Sequence, residues 1–478
     1  MGDPLYLAVD QGGHASRALV FDAAGRAVTL AFAAIGTTRN ALGYIEHDAE
    51  ELLTATRQVI DDAVQNLGGR APEIAAAGLV TQRSTIVCWD RFSGAALSPA
   101  ISWQDRRNAA WLAKFAARAD WVKAKTGLVL SPHYGASKLR WCLDHLPAVK
   151  RAAAGDRLAA GPLSSFLAFR LLAGGPLLVD PANASRTLLY DPQTLDWSKE
   201  LLELFGIPRS VLPACRPSLD SFGMFTVAGQ TIPLTVITGD QSAVPFAWGT
   251  PSADSVFVNV GTGAFVQRTV RERLPAASGL LSSVVLHDGH SVTFAHEGTI
   301  NGAGSALEWL AEREGIDVAR MLEALDDTDL SGAHPPLFLN GVSGLGAPFW
   351  VSNFESRFLG PGSGFEKFLA VLESIAFLIR VNIDEMRRTP PSISRVVLTG
   401  GFGRSARFCQ CLSDLVELEV VRAAEQEASA RGVACLAAGL PSAWQDADGT
   451  VFRPAPNAAL LARYVAWLRS LKASLPAH

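Results

Sequence analysis

Two segments about half a chain apart follow the same plan. Residues 7–22, LAVDQGGHASRALVFD, and residues 254–270, DSVFVNVGTGAFVQRTV, each read as an apolar strand, a glycine turn and a second strand. In the first, Leu7, Ala8 and Val9 run into Asp10, Gly12 and Gly13 break the pattern, and Ala18, Leu19, Val20 and Phe21 resume it. In the second, Val256, Val258 and Val260 alternate into Gly261-Thr262-Gly263. Alternation interrupted by glycine is a hairpin signal. A duplicated unit in a chain of 478 residues, too long for one ordinary core, predicts two domains of similar plan, 1–247 and 248–478, meeting near residues 246–253.

The rest of each half alternates helices with strands. Residues 49–68 place Leu52, Val59, Ile60, Ala63 and Leu67 on one helical face, and EIAAAGLVTQ (73–82) and STIVCWD (84–90) read as strands. In the second half, residues 365–388 form a long apolar-faced helix leading into SRVVLTGGFG. This is α/β grammar. Residues 174–218 are rich in turn formers and predict a subdomain lining a cleft.

Four glycine turns look chemical: Asp10 with Gly12 and Gly13; Gly239-Asp240-Gln241; Gly261-Thr262-Gly263; and Gly400-Gly401-Phe402-Gly403. Glycine lets successive N–H groups close on a phosphate, and an adjacent Asp can hold Mg²⁺ together with phosphate oxygens. A second Asp can take the proton of an attacking hydroxyl. The fourth turn also approaches the dinucleotide-binding fingerprint, Gly401-x-Gly403-x-x-Ala406, as in an NAD-dependent oxidoreductase. Against that, Arg422 stands where an acidic residue is expected, Glu425 comes late, and Asp10, Asp240 and the 261–263 turn are left unexplained. His287, Asp288 and His290 resemble a metal cluster, but Asp288-Gly289 between apolar runs reads as a hairpin turn.

A net charge of −4 and a pI near 6.2 argue against nucleic acid or an anionic membrane as partner. No apolar run approaches the roughly 18 residues of a membrane span, and no leader pattern precedes the first strand, so a cytoplasmic location is expected. The six cysteines, including the Cys409-x-Cys411 pair, read as reduced and mostly buried.

The order of motifs resembles the FGGY family of carbohydrate kinases, closest in pattern to its glycerol kinase branch, over nearly the whole chain. The resemblance rests on Asp10-Gln11-Gly12, YIEHD (44–48), TQRSTIV (81–87), WQDRR (103–107), NASRTLLYDPQTLDW (183–197), GDQ (239–241), GTGAF (261–265), EGTINGAGSALEWL (297–310) and GLGAPFW (344–350). It implies two actin-like, ribonuclease H-like ATPase domains around a cleft. It further implies ATP- and Mg²⁺-dependent phosphorylation of a terminal hydroxyl of a small polyol or sugar, with a homodimer as the oligomer considered. Carried over by position, Asp240 would be the catalytic base and Mg²⁺ would lie near Asp10 and Asp240. The acceptor would meet Arg83, Ser84, Trp103, His133, Tyr134, Asp240, Gln241 and Phe265. The nucleotide would meet Gly12, Gly13, His14, Ser16 and Arg17 of the first turn and Gly261, Thr262 and Gly263 of the second. It would also meet Gly304, Glu308, Gly400, Gly401 and Ser405.

The departures from the family pattern concern the same sites. Gly13, His14 and Ala15 replace two threonines and a serine, leaving Ser16 as the remaining hydroxyl. Each lost hydrogen bond is worth about 0.5–3 kcal/mol depending on charge. One or two losses would slow transfer by roughly one to three orders of magnitude without abolishing it. His14 either donates to phosphate in their place or is a solvated turn residue. Ser84 replaces an acidic residue, His133 a tyrosine, and Gly161-Pro162-Leu163-Ser164 lacks a customary aspartate. Loss of the acidic acceptor turns the expected substrate away from glycerol, toward a longer polyol or a ketopentose such as xylulose or ribulose. The alternative reading is a catalytically weakened homologue that binds sugar or nucleotide, or regulates.

Overall fold

The computed structural model describes residues 2–227, 229–275, 277–330, 332–424, 427–444 and 449–476; Glu425 lies outside them. The repeated hairpin seeds two sheets of matching plan. In the first, β1 (Leu5–Gln11), β2 (Ala15–Phe21) and β3 (Ala27–Ala34) form an antiparallel meander. Helix α1 (Ala49–Asn66) then crosses to β4 (Ile74–Thr81), which pairs parallel with β1. Asp48 caps α1, accepting from the amides of Glu50 and Glu51, and Leu52, Val59, Ile60 and Ala63 pack its buried face. Strands β5 (Leu219–Val227) and β6 (Gln230–Gly239) complete the sheet in the order β5-β6-β4-β1-β2-β3.

The second sheet is built from β7 (Ser255–Val260), β8 (Ala264–Val270), β9 (Leu281–His287), β10 (Val292–Ile300), β11 (Arg395–Gly400), β12 (Glu419–Ala423) and β13 (Gly449–Phe452). Its order is β9-β10-β8-β7-β11-β12-β13. Here β7 pairs antiparallel with β8 and parallel with β11, as β1 does with β2 and β4. The long apolar-faced helix Gly364–Met386, opened by a Ser363–Glu366 capping box, makes the crossover that α1 makes in the first half. The extra strand β9 comes from a hairpin turning at Asp288-Gly289, where the Asp288 amide donates to the Ser291 carbonyl. That answers the His287–His290 question in favour of a turn.

Residues 82–218 are inserted between β4 and β5, and they pair Ile86–Asp90 with Leu158–Pro162 in a small five-stranded sheet that Ala100–Ile101 joins to Ile45–His47 and Thr38–Arg39. The strand expected from Ser84 starts at Ile86, because Ser84 takes a left-handed φ of +67° that ends the preceding extended run. The two halves are joined by more than the chain. Helix α2 (Ala428–Ala437), which follows β12, packs across the first sheet with Val433 and Ala434 in one apolar cluster with Ala8, Val80 and Val236. Contact is close enough that a Cβ on Gly78 would stand 2.4 Å from Val433 Cγ2, and one on Gly432 would stand 2.1 Å from the Ala243 carbonyl oxygen. All six cysteines are free thiols.

Candidate active site

A cavity of about 680 Å³ opens between the two sheets and the insertion. Its wall brings together Gly13, His14, Arg83, Trp103, His133 and Tyr134 from the first half with Gly261, Thr262, Gly263 and Phe265 from the second, and Asp240 and Gln241 lie where the halves meet.

Asp240 follows β6 directly, as the first residue of a short helix. The Gln241 amide donates to its Oδ1 at 2.7 Å, and Arg83 Nε stands 3.7 Å away. Burial pushes its carboxyl above the usual range, while Arg83 pulls it back. Gly239 makes this approach possible, since a Cβ there would lie 2.5 Å from Arg83 Cγ. Asp10 closes β1 on the same side of the sheet, and its Oδ1 is buried without a partner. Burial, then the nearby Asp240 charge, pushes its carboxyl up to about 7.

Among the described residues no group of three or more His, Cys, Asp or Glu side chains forms a metal cluster. Mg²⁺ takes one or two carboxylates and completes its shell with water and phosphate oxygens. An orphaned carboxylate oxygen on Asp10 beside a second carboxylate is the donor set such a cation needs.

Both glycine turns line the cavity, the first through Gly13 and His14 and the second through Gly261, Thr262 and Gly263. In the first, the Gly12 amide donates to the Ala15 carbonyl, and Gln82 Nε2 donates to the Gly12 carbonyl at 3.1 Å. His14 is exposed on the cavity wall. Ser16 is not available to phosphate: it is fully buried on β2, its hydroxyl 3.4 Å from Thr56 Oγ1 on α1. It pairs with Gln11 in the strand ladder, so side-chain alternation turns it inward. Gly12 and Arg17 are not on the wall either, and Arg17 pairs with Glu427 at 3.6 Å.

The second turn is seated on the N-terminus of the helix Gly304–Glu314, whose Gly304 and Ser305 amides donate to the carbonyls of Gly261 and Thr262. A Cβ on Gly304 would meet the Gly261 carbonyl oxygen at 2.8 Å, so this glycine positions the turn from behind. Glu308 is exposed further along that helix, away from the cavity wall.

Gly400 (φ +88°), Gly401 and Ser405 also lie off the wall. Ser405 Oγ donates to Asp326 at 2.7 Å, and the same carboxylate accepts the Ala406 and Arg407 amides. The helix N-terminus that a dinucleotide pyrophosphate would occupy therefore already holds a carboxylate, which removes the oxidoreductase reading.

Among the residues expected to meet the acceptor, Arg83 lies over the Phe265 ring at 5.6 Å, and Trp103 and His133 meet edge to face at 5.7 Å. The WQDRR segment is held from beneath: Arg107 chelates Asp105, pairs with Glu46, and sits between the Tyr44 and Trp141 rings at 4.1 and 4.5 Å. Thus the YIEHD and WQDRR motifs serve to fix Trp103. Ser84 departs from expectation. It is buried behind Arg83, off the cavity wall, with its hydroxyl unpartnered, because its left-handed backbone turns the side chain away.

Two further charged residues belong to this site and were not picked out as chemical in the sequence, although both lie in quoted motifs. Glu297 on β10 is fully buried, and its Oε2 accepts from Arg83 Nη1 at 3.0 Å and Arg186 Nη2 at 2.5 Å. Burial would raise its carboxyl, but the two guanidiniums override that and hold it at about 2. Arg186 also donates to Ser283 Oγ at 3.1 Å. One carboxylate from the second half thereby anchors two arginines from the first.

Family comparison decides what such a site belongs to. The description "FGGY family of carbohydrate kinases, N-terminal domain" matches residues 5–259, and its C-terminal counterpart matches residues 256–439. The chain belongs to the FGGY family of carbohydrate kinases. Glycerol kinase 1 of Pseudomonas aeruginosa is 36% identical to it over 457 residues, 92% of this chain and 91% of that protein. The glycerol kinase of Ectopseudomonas mendocina is 36% identical over 446 residues, 90% of this chain and 89% of that protein. Among solved structures, Plasmodium falciparum glycerol kinase with ADP matches with a TM-score of 0.89 at 24% identity, covering 100% of this chain and 99% of that one. Gluconate kinase from Lactobacillus acidophilus matches with a TM-score of 0.83 at 21% identity, over 99% and 97%. Both share the two-domain actin-like fold. This FGGY kinase is a phosphotransferase that uses ATP with Mg²⁺ to phosphorylate a small polyol or sugar. Among the described residues no helix is long and apolar enough to cross a membrane.

Proposed function

We propose that Asp240 is the catalytic base of this kinase and that its acceptor is a polyol longer than glycerol or a ketopentose such as xylulose or ribulose. The observation that carries the reading is the place of Asp240, at the junction of the halves, beside Arg83 and on the same cavity wall as residues of both glycine turns. In this mechanism the acceptor lies against Trp103 and Phe265 with Arg83 and Gln241 holding its hydroxyls. Asp240 takes the proton of the terminal hydroxyl as that oxygen attacks the γ-phosphorus, and ADP leaves. Asp10 and Asp240 are the residues that would hold Mg²⁺, and the cation would supply charge neutralisation at the phosphate oxygens. The Gly12 and Gly261 amides are donated within their own turns, so the phosphates would meet the amides of Gly13, His14, Thr262 and Gly263.

Acceptor length follows from the wall. Ser84, the counterpart of an acidic acceptor reader, is withdrawn from a cavity of about 680 Å³, and His133 stands on the wall in place of a tyrosine. Among the described residues, the acidic ones on the wall are Asp240 and the arginine-bound Glu297. We divide the domains between residues 247 and 248, in the segment between β6 and β7. We place the enzyme in the cytoplasm, in keeping with its free thiols and its need for ATP.

The test is ADP release from MgATP with glycerol, erythritol, ribitol, xylitol, the D and L forms of ribulose and xylulose, and no acceptor. One of the longer acceptors is expected to stimulate release well above the blank and above glycerol. Glycerol as the best substrate would overturn the length argument, and a flat panel with ATP bound would overturn the acceptor class.

With Ser16 turned inward, His14 is the side-chain donor that the first turn keeps on the cavity wall, and we assign it to the phosphates. His14→Ala is expected to lower kcat by roughly ten- to hundredfold, the worth of a hydrogen bond to a charged group. Unchanged kcat in steady-state assays would make His14 a solvated turn residue.

A further inference from the structure

Lys138 lies on the helix Gly135–His145 and is fully buried, yet it makes no ion pair among the described residues. Its ammonium donates instead to two main-chain carbonyls, Ser84 at 2.9 Å and His133 at 2.7 Å. Those carbonyls belong to separate segments, 54 and 5 residues away in sequence, and each segment carries one side of the acceptor wall: Arg83 on one, His133 and Tyr134 on the other. The same helix begins on a third wall segment, since its Gly135 and Ala136 amides donate to the carbonyls of Arg186 and Thr187.

We propose that Lys138 is a positioning residue for the acceptor: it ties the 83–84 and 133–134 segments at a fixed separation and so sets the width of the acceptor-binding cavity.

The argument is one of chemistry and strain. A buried ammonium is costly to desolvate, and an apolar side chain would fill the same space without that cost. What an apolar residue cannot do is satisfy two buried carbonyls arriving from different directions; one amine nitrogen does, because even the neutral form that burial favours by lowering the lysine's pKa to about 7 keeps two N–H groups. Ser84 sharpens the point. It is a non-glycine residue at φ +67°, a conformation L residues disfavour, and it persists only where its surroundings hold it. Lys138 grips the carbonyl that this strained peptide presents. Arg83, the neighbour of that peptide, is held at its other end by Glu297, so both ends of the Arg83 segment are tethered. The Trp103–His133 contact is tethered likewise, through the His133 carbonyl to Lys138 and through the Trp103 amide to Thr85 Oγ1 at 3.1 Å.

This inference rests on the acceptor reading above, and its test separates the two. Lys138→Met keeps the volume and removes both donors. It is expected to raise the acceptor KM about tenfold or more while the ATP KM stays within about twofold, because the phosphate turns do not touch this lysine. Lys138→Gln, a shorter neutral donor able to reach one carbonyl, is expected to fall between the two. Trp103→Ala is measured alongside. If Trp103→Ala raises the acceptor KM and a Lys138→Met protein of native circular dichroism does not, the positioning role is wrong. If neither variant moves it, the acceptor reading itself has failed. A loss confined to melting temperature and active fraction would reduce Lys138 to a structural role and overturn the proposal. Should Lys138→Met not be recovered folded, Lys138→Gln decides: an acceptor KM raised severalfold sustains the inference, and an unchanged one ends it.

Discussion

Asp240→Asn is expected to abolish acceptor-dependent turnover while leaving the fold and nucleotide binding in place. Asparagine keeps the shape of the side chain and an oxygen to accept the Gln241 amide, whose 2.7 Å hydrogen bond sets the side-chain orientation. It cannot take the proton of an attacking hydroxyl. Loss of a positioned general base costs about 10²–10⁴-fold, or roughly 3–5 kcal/mol of transition-state stabilisation. The setting of Asp240 fits that task. Burial raises its proton affinity, which strengthens it as a base, and Arg83 restrains the rise so that the carboxylate persists. The measurement is turnover with the acceptor found in the panel, together with ADP affinity by calorimetry. Turnover within tenfold of the parent enzyme would move the base to another residue.

Glu297→Gln carries the second large effect, on stability as well as on the acceptor. The parent site buries one carboxylate with two arginines on its Oε2. Removing the charge strands the buried Arg186 and leaves Arg83 with the Asp240 carboxylate at 3.7 Å, a defect that costs about 3–5 kcal/mol. For a chain of this size melting as one unit, that corresponds to a fall in Tm of roughly 3–5 °C. The pH dependence has a definite sign. The Glu297 carboxyl is held at about 2 in the folded protein against 4.5 ordinarily. Its contribution is therefore complete above about 4.5 and is lost as pH falls from there toward about 2. Urea midpoints recorded across that window should decline less steeply in the variant than in the parent. Because Arg83 loses its anchor, the acceptor KM should rise too, and an unchanged midpoint would show that the arginines find another counter-ion.

Much of this architecture was open to reading in the chain itself. The glycine turns after Val9 and Val260 announce their hairpins because alternation and glycine are local signals, and both sheets grow from them. Asp10 and Asp240 were visible for the same reason, each ending an apolar strand. Reading failed where the answer depended on strand parity or on distant partners. Ser16 looked like part of the turn, yet the ladder already includes it opposite Gln11, and that one position of register sends its hydroxyl into the core. Ser84 looked like an acceptor contact until a left-handed φ turned it away. Arg186 and Glu297, 111 residues apart, carry no local mark of their partnership, although both sit inside motifs that could have prompted a search for buried charge pairs. Ser405 was read as a nucleotide contact, but its hydroxyl is bound to Asp326, 79 residues earlier.

Helix α2 crosses from the second half to pack over the first sheet beside the short helix that begins with Asp240. Gly78 and Gly432 have no room for any side chain at that crossing. The two matching halves are thus not separable modules. Neither half is a spare part, because the first would be left with a bare greasy face over Ala8, Val80 and Val236, and the second with a helix that has nothing to lie on. A recombination event that exchanged one half for a relative's would inherit a mismatched keel directly beneath Asp240. A chimera cut between residues 247 and 248 would have to carry residues 428–437 with the first half rather than the second.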